Sequence, residues 1–99
     1  MLERSQHPMK KVVITVQGRV QGVGFRYHTK LLADKVDVTG TVENQIDGSV
    51  LIKVSAPTDK TDSFIDSLEK NRPPFSRIDS IHIVENNDLP DFSSFKVIH

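Results

Sequence analysis

Residues 18–26, GRVQGVGFR, put glycines at 18, 22 and 24 between a run of β-branched residues and a helical pattern, with Arg26 directly behind them. Glycines let consecutive backbone N–H groups turn toward one point, and the unsatisfied N–H groups of a following helix aim the same way. A strand-to-helix loop of this kind is a cradle for an anion, phosphate foremost. A cation in the first helical turn opposes the helix dipole by about 0.3–1 kcal/mol, so Arg26 carries the wrong charge for its position unless an anion sits beside it. Its planar fork suits two phosphate oxygens. The competing reading is a tight structural turn with a solvated arginine.

Other phosphate chemistries fail on residue types. The loop has no Gly-Lys-Ser/Thr ending, and its glycine spacing differs from the dinucleotide fingerprint. A cysteine phosphatase is excluded because the chain has no cysteine. The loop contains no serine, threonine or aspartate, and His7, His28, His82 and His99 are scattered without ligand spacing, so no metal site and no cofactor is expected. His28 reads as a surface residue of a helix. What remains is attack by a positioned water, with the phosphate charge held by backbone amides and one arginine. Without an obvious general acid the leaving group must depart unprotonated, as a carboxylate of pKa about 4.3 does and an alkoxide does not. Mixed anhydrides of carboxylic and phosphoric acids meet that condition.

The elements that must position these groups follow from periodicity. KVVITVQ alternates, with Val12, Ile14 and Val16 on one face, as a half-buried strand does. From Phe25 to about Val36, Phe25, Thr29, Leu32, Ala33 and Val36 recur at helical spacing. TGTVENQIDGSVLIKVS reads as a hairpin turning at Asp47-Gly48, its second strand carrying Val50, Ile52 and Val54. A second helix is expected to start with Thr58 as N-cap and Asp59 in the first turn, to bury Phe64, Ile65 and Leu68, and to end before Pro73. RIDSIHIVE alternates through Ile81 and Ile83, and a short last run through Phe95 and Val97. Strand, helix, strand, strand, helix, strand and a final short strand is the order of two split βαβ units. The expected fold is a ferredoxin-like α/β sandwich, both helices on one face of a mixed, mainly antiparallel sheet.

With 99 residues the chain suffices for one domain, read as 9–99 behind a loose tail at 1–8. A formal net charge of zero argues against a general nucleic-acid binder. The charge is uneven, since residues 9–35 carry Lys10, Lys11, Arg19, Arg26, Lys30 and Lys35 against Asp34 alone, which favours a small anion near the loop. No apolar run approaches a bilayer span, and the front lacks the apolar stretch of a signal peptide. With no cysteine, a cytoplasmic monomer acting on a small molecule, with no nucleic-acid or membrane partner, is the expectation.

The segment from Val16 to Arg26, VQGRVQGVGFR, resembles the first signature of the acylphosphatases at every specified position. Gly40-Thr41-Val42-Glu43-Asn44, followed by Asp47-Gly48-Ser49-Val50, resembles the second, and PPFSRIDSI and DFSSFKV resemble later strands of that family. The resemblance covers nearly the whole chain and implies a small metal-free hydrolase that splits acyl phosphates. Carried over, it makes Arg26 the catalytic arginine that clamps the phosphoryl group and Asn44 the asparagine that orients the attacking water. The backbone amides of Val20, Gln21, Gly22, Val23, Gly24 and Phe25 make the cradle. Read without the resemblance, Asn44 is a turn residue before the hairpin. The sequence departs from the family pattern at Thr41, Glu43 and Ala56, and strand alternation puts Glu43 on the face opposite Asn44, away from the pocket. Two other readings stand beside the enzyme. One is a non-catalytic anion- or RNA-binding module of the same fold, disfavoured because the first and third strands carry no aromatics for base stacking. The other is an excised domain of a hydrogenase maturation carbamoyltransferase, a far longer protein.

Overall fold

The seven expected elements are present in the computed structural model, which describes residues 8–99. They are β1 (Met9–Arg19), α1 (Phe25–Val36), β2 (Thr39–Asn44), β3 (Val50–Pro57), α2 (Thr58–Lys70), β4 (Arg77–Glu85) and β5 (Phe95–Ile98). The sheet order is β4-β1-β3-β2-β5. The pairs β1–β3, β1–β4 and β2–β3 are antiparallel, whereas β5 runs parallel to β2. Helices cover one face, α1 packing on β2 and β5 and α2 on β3 and β1. That is a ferredoxin-like sandwich with one strand added at the β2 edge.

The alternation in β1 and β3 places Val12, Ile14, Val16, Val50, Ile52 and Val54 in the core, joined by Val42 from β2, Phe25 and Ala33 from α1, and Phe64 and Leu68 from α2. Burying an aliphatic or aromatic side chain of this size contributes about 1.5–3 kcal/mol, which is why the helices dock on this face. Phe64 and Phe95 pack tilted, centroids 6.0 Å apart, and tie α2 to the start of β5.

Three details differ from the sequence-based expectations. Pro57, not Thr58, is the N-cap of α2; Thr58 is its first residue, and both its amide and its hydroxyl donate to the Pro8 carbonyl instead. Ile65 is only partly buried beside Phe64 and Leu68. In β4, Ile81 and Ile83 share the side of Val16 and Ile14 as the alternation expects, but it is Ile78, outside that alternation, that packs on the core with Ile81, since Gln17 is in register with Ser80 but Gly18 with Ile78, leaving Asp79 as an extra residue. Such a bulge resets the period-two pattern. Ile83 lies opposite Ile14 on an edge strand that the helices do not cover and is 39% exposed. The tail expected at 1–8 lies, but for Pro8, outside the described residues.

Candidate active site

Strand register decides what lies near the glycine loop. Val16, near the end of β1, and Asn44, the last residue of β2, are both in register with Val50, the first residue of β3. Ile98, ending β5, is in register with Glu43. The ends of β1, β2 and β5 and the start of α1 therefore meet at one end of the sheet, with the loop 20–24 crossing it. Asn44 shares the core-facing side of β2 with Val42 and Gly40, and Glu43 points to the other face.

A cavity of about 250 Å³ opens there, lined by Val20, Gly22, Gly24, Phe25, Arg26, Tyr27, Asn44, Val97 and His99. Arg26 and Asn44, 18 residues apart in sequence, thus face the same space. Of the six cradle residues, Val20, Gly22, Gly24 and Phe25 line the cavity, while Val23 packs against the core and the Gln21 side chain turns to the β2–β3 hairpin. Gly24 is the N-cap of α1 with φ +78°, and Gly22 has φ +74°, so the loop is left-handed on both sides of Val23. Among the described residues, no amide of 22–27 donates a backbone hydrogen bond, and the first helical bond is His28 N to Gly24 O, 3.0 Å. The start of α1 therefore keeps its unsatisfied donors beside the cavity.

Arg26 Nη1 donates to the Ile98 carbonyl at 2.9 Å, which holds the guanidinium over the ends of β2 and β5; among the described residues its other N–H groups have no partner. Among the described residues no carboxylate side chain lines the cavity, the first turn of α1 has no acid, and Glu43 is absent from the wall, as strand alternation required. Asn44 Oδ1 is buried and has no hydrogen-bond partner among the described residues. An unpaired buried acceptor of this kind costs about 1–3 kcal/mol. The oxygen and nitrogen of a carboxamide occupy nearly the same space, so half a turn of the amide exchanges which of them faces the cavity.

Sequence reasoning did not assign Tyr27, Val97 or His99 to this wall. The alternation of β5 was the available signal for Val97; for the other two, position at the end of an element says nothing about what lies across from it. His28 is half-buried on α1, its ring nitrogen hydrogen-bonded to the Asn71 carbonyl. It lies in a larger groove of about 630 Å³ between α1 and α2, away from the glycine loop and lined partly by Lys35, Asp59 and Lys60. Size alone would favour that groove, but the smaller cavity holds the unsatisfied amides, the guanidinium and the orphaned carboxamide. No group of three or more His, Asp or Glu side chains among the described residues is placed to hold a metal ion.

The hairpin behind Asn44 is braced by Asp47, whose Oδ1 accepts from Ser49 Oγ at 2.6 Å and Ser49 N at 2.9 Å. The Ser49 hydroxyl, then its amide, hold the Asp47 carboxyl below its ordinary 3.8. A lowered folded-state value means the brace stabilises the fold above the ordinary value and is lost as pH falls through the lowered one. An NMR titration of wild type should place the Asp47 midpoint below 3.8, and Ser49→Ala should move it back up.

A guanidinium with unshared N–H groups and a helix N-terminus, beside a cavity whose described lining has no carboxylate side chain, give this α/β sandwich a site with the chemistry of an anion cradle. The acylphosphatase family profile matches residues 12–97. An acylphosphatase of Enterococcus faecalis is 47% identical over 90 residues, covering 91% of this chain and 99% of that one. The crystal structure of acylphosphatase from Bacillus subtilis superposes with a TM-score of 0.85 at 38% identity, covering 91% of this chain and 99% of that one. T. kodakarensis HypF contains a similar region, TM-score 0.82 and 34% identity, covering 90% of this chain but 12% of that one. The chain belongs to the acylphosphatase family.

Proposed function

We propose that this chain hydrolyses acyl phosphates to a carboxylate and inorganic phosphate by means of a positioned water. The observation that carries the reading is that Arg26, Asn44 and the start of α1 surround one cavity. The phosphoryl oxygens accept from the loop amides and from the guanidinium N–H groups that Ile98 leaves unused. Asn44 Oδ1, turned to the cavity, accepts a hydrogen bond from the attacking water and aims the water's lone pair at phosphorus. The water oxygen bonds to phosphorus as the bond from phosphorus to the acyl oxygen breaks. The carboxylate takes that electron pair and leaves unprotonated, and the water's proton passes to solvent. A carboxamide does this without a shifted pKa.

The cavity, about 250 Å³, is smaller than the range typical of drug-sized ligands and suits a compact acyl phosphate. The zero net charge and the aromatic-free strands β1 and β3 support a small molecule over a nucleic acid as partner. No helix among the described residues is long and apolar enough to cross a membrane. A cytoplasmic monomer that works without metal remains our reading, resting on the cysteine-free composition and on a reaction that uses only the chain's own groups.

Benzoyl phosphate is the test substrate. Wild type is expected to turn it over with a chelator present, and inorganic phosphate to compete. Asn44→Ala should lower kcat by about 10²-fold, the scale of losing a reactant's alignment, with a much smaller change in KM. Folded wild type without turnover would leave a binding module as the reading.

A further inference from the structure

We infer that Gln21 is a positioning residue, a two-pronged clamp that fixes Asn44 relative to the anion cradle; the inference rests on the hydrolase reading. Its Nε2 donates to the Gln45 carbonyl and to the Ser49 carbonyl, 2.8 Å each. Two acceptors at hydrogen-bond distance identify that end of the side chain as the nitrogen. The same carbonyls form the neck of the β2–β3 hairpin, where Gln45 N donates to Ser49 O at 2.8 Å and Gly48 N to Gln45 O at 3.1 Å. Each oxygen therefore receives two donors, and both amide hydrogens of Gln21 are used. A hydroxyl has one hydrogen and a carboxylate none, so neither replaces this group.

The clamp grips the hairpin one residue from Asn44. On the loop side it is the only side-chain hydrogen bond that residues 20–24 make to another element among the described residues. Val20 is buried and Val23 packs on the core, but apolar contacts are non-directional and do not fix the separation between loop and hairpin. Gly22 and Gly24 leave the backbone of that loop little stiffness of its own.

The two halves of the site depend on the clamp differently. The cradle is made by the loop, the start of α1 and Arg26, so it can bind phosphate wherever the hairpin stands. Aligning a water with phosphorus requires Asn44, on the hairpin, to be in register with that cradle. Loss of the clamp should therefore separate catalysis from phosphate affinity.

The experiment measures kcat and KM for benzoyl phosphate, the inhibition constant of inorganic phosphate, and the melting temperature for wild type, Gln21→Leu and Gln21→Glu. Gln21→Leu is expected to lower kcat by about 10- to 10²-fold, with the phosphate inhibition constant within about threefold of wild type. In Gln21→Glu a carboxylate would face two carbonyl oxygens with no hydrogen to give, and protonation would restore one of the two bonds. Relative to wild type, its kcat should rise as pH falls through the carboxyl's titration, which the two acceptors push upward, while the Gln21→Leu ratio stays flat. A kcat for Gln21→Leu within about twofold of wild type overturns the clamp. So does a loss of phosphate affinity in proportion to kcat together with a lower melting temperature, which would make Gln21 a purely structural residue, and so does a pH-independent Gln21→Glu ratio. A wild type without turnover overturns the hydrolase reading and this inference with it.

Discussion

Arg26→Ala is expected to lower kcat for benzoyl phosphate by about 10²–10³-fold or more, the scale seen when one preorganised donor to a developing oxyanion is removed. Here the lost group carries a full charge, sits beside a cavity whose described lining has no carboxylate side chain, and is held by the Ile98 carbonyl at 2.9 Å. Stability should scarcely change. Losing the Ile98 bond costs about 0.5–1.5 kcal/mol, and removing a cation from the first helical turn returns about 0.3–1 kcal/mol, so the two nearly cancel. The variant should thus melt close to wild type while being nearly inactive. Inorganic phosphate should raise the melting temperature of wild type and have little effect on the variant, because stabilisation by a ligand follows its affinity. Arg26→Lys should not rescue activity, since an ammonium at the end of a flexible stem cannot both reach Ile98 and present a planar fork to two phosphate oxygens. Arg26→Ala activity within about threefold of wild type would remove the guanidinium from the mechanism.

Gly40→Ala should be the most destabilising single-methyl change in the sheet. Gly40 lies inside β2 with φ +152°, between Val54 of β3 and Phe95 of β5. A Cβ there would stand 1.8 Å from the Lys53 carbonyl oxygen and 2.8 Å from its carbon. Those are backbone atoms of the neighbouring strand, so no side chain can swing away and the ladder itself must move. Overpacking of this kind costs about 1–3 kcal/mol and the unfavourable φ about 1–2 more, giving roughly 2–5 kcal/mol. For a domain near 100 residues each kcal/mol shifts the melting temperature by about 4–8 °C, so a drop of roughly 8–40 °C is expected by circular dichroism. Gly48→Ala is the control. Gly48 also has a positive φ, +95°, but nothing lies within 4 Å of the added carbon, so only the backbone cost of about 1–2 kcal/mol should appear. Equal losses in the two variants would show that contact with β3 is not what requires glycine at 40.

Most of the elements were legible because local patterns specify them. The alternation of Val12, Ile14 and Val16 gave β1, and the spacing of Phe25, Thr29 and Ala33 gave α1 with the bounds observed. What misled were places where a neighbour outcompeted the local signal. Thr58 has the chemistry of an N-cap, yet the Pro8 carbonyl takes its hydroxyl. Ile78 falls out of step with Ile81 and Ile83 in the alternating pattern, yet the bulge at Asp79 turns it to the core, while the edge position of β4 leaves Ile83 partly exposed.

The sequence by itself determined the chemistry on offer: glycines before a helix, an arginine in its first turn, an asparagine at a strand end, and no thiol. Residue type settles what a side chain can donate, accept or attack, and that needs no fold. Only the tertiary structure decided that Arg26 and Asn44 share one cavity, that a carbonyl from β5 holds the guanidinium, and that Gln21 ties the loop to the hairpin. Those relations join residues 18 to 72 positions apart. They follow from the register in which β1, β2, β3 and β5 pair, which depends on burying one whole face of the sheet at once and is carried by no local run of residues.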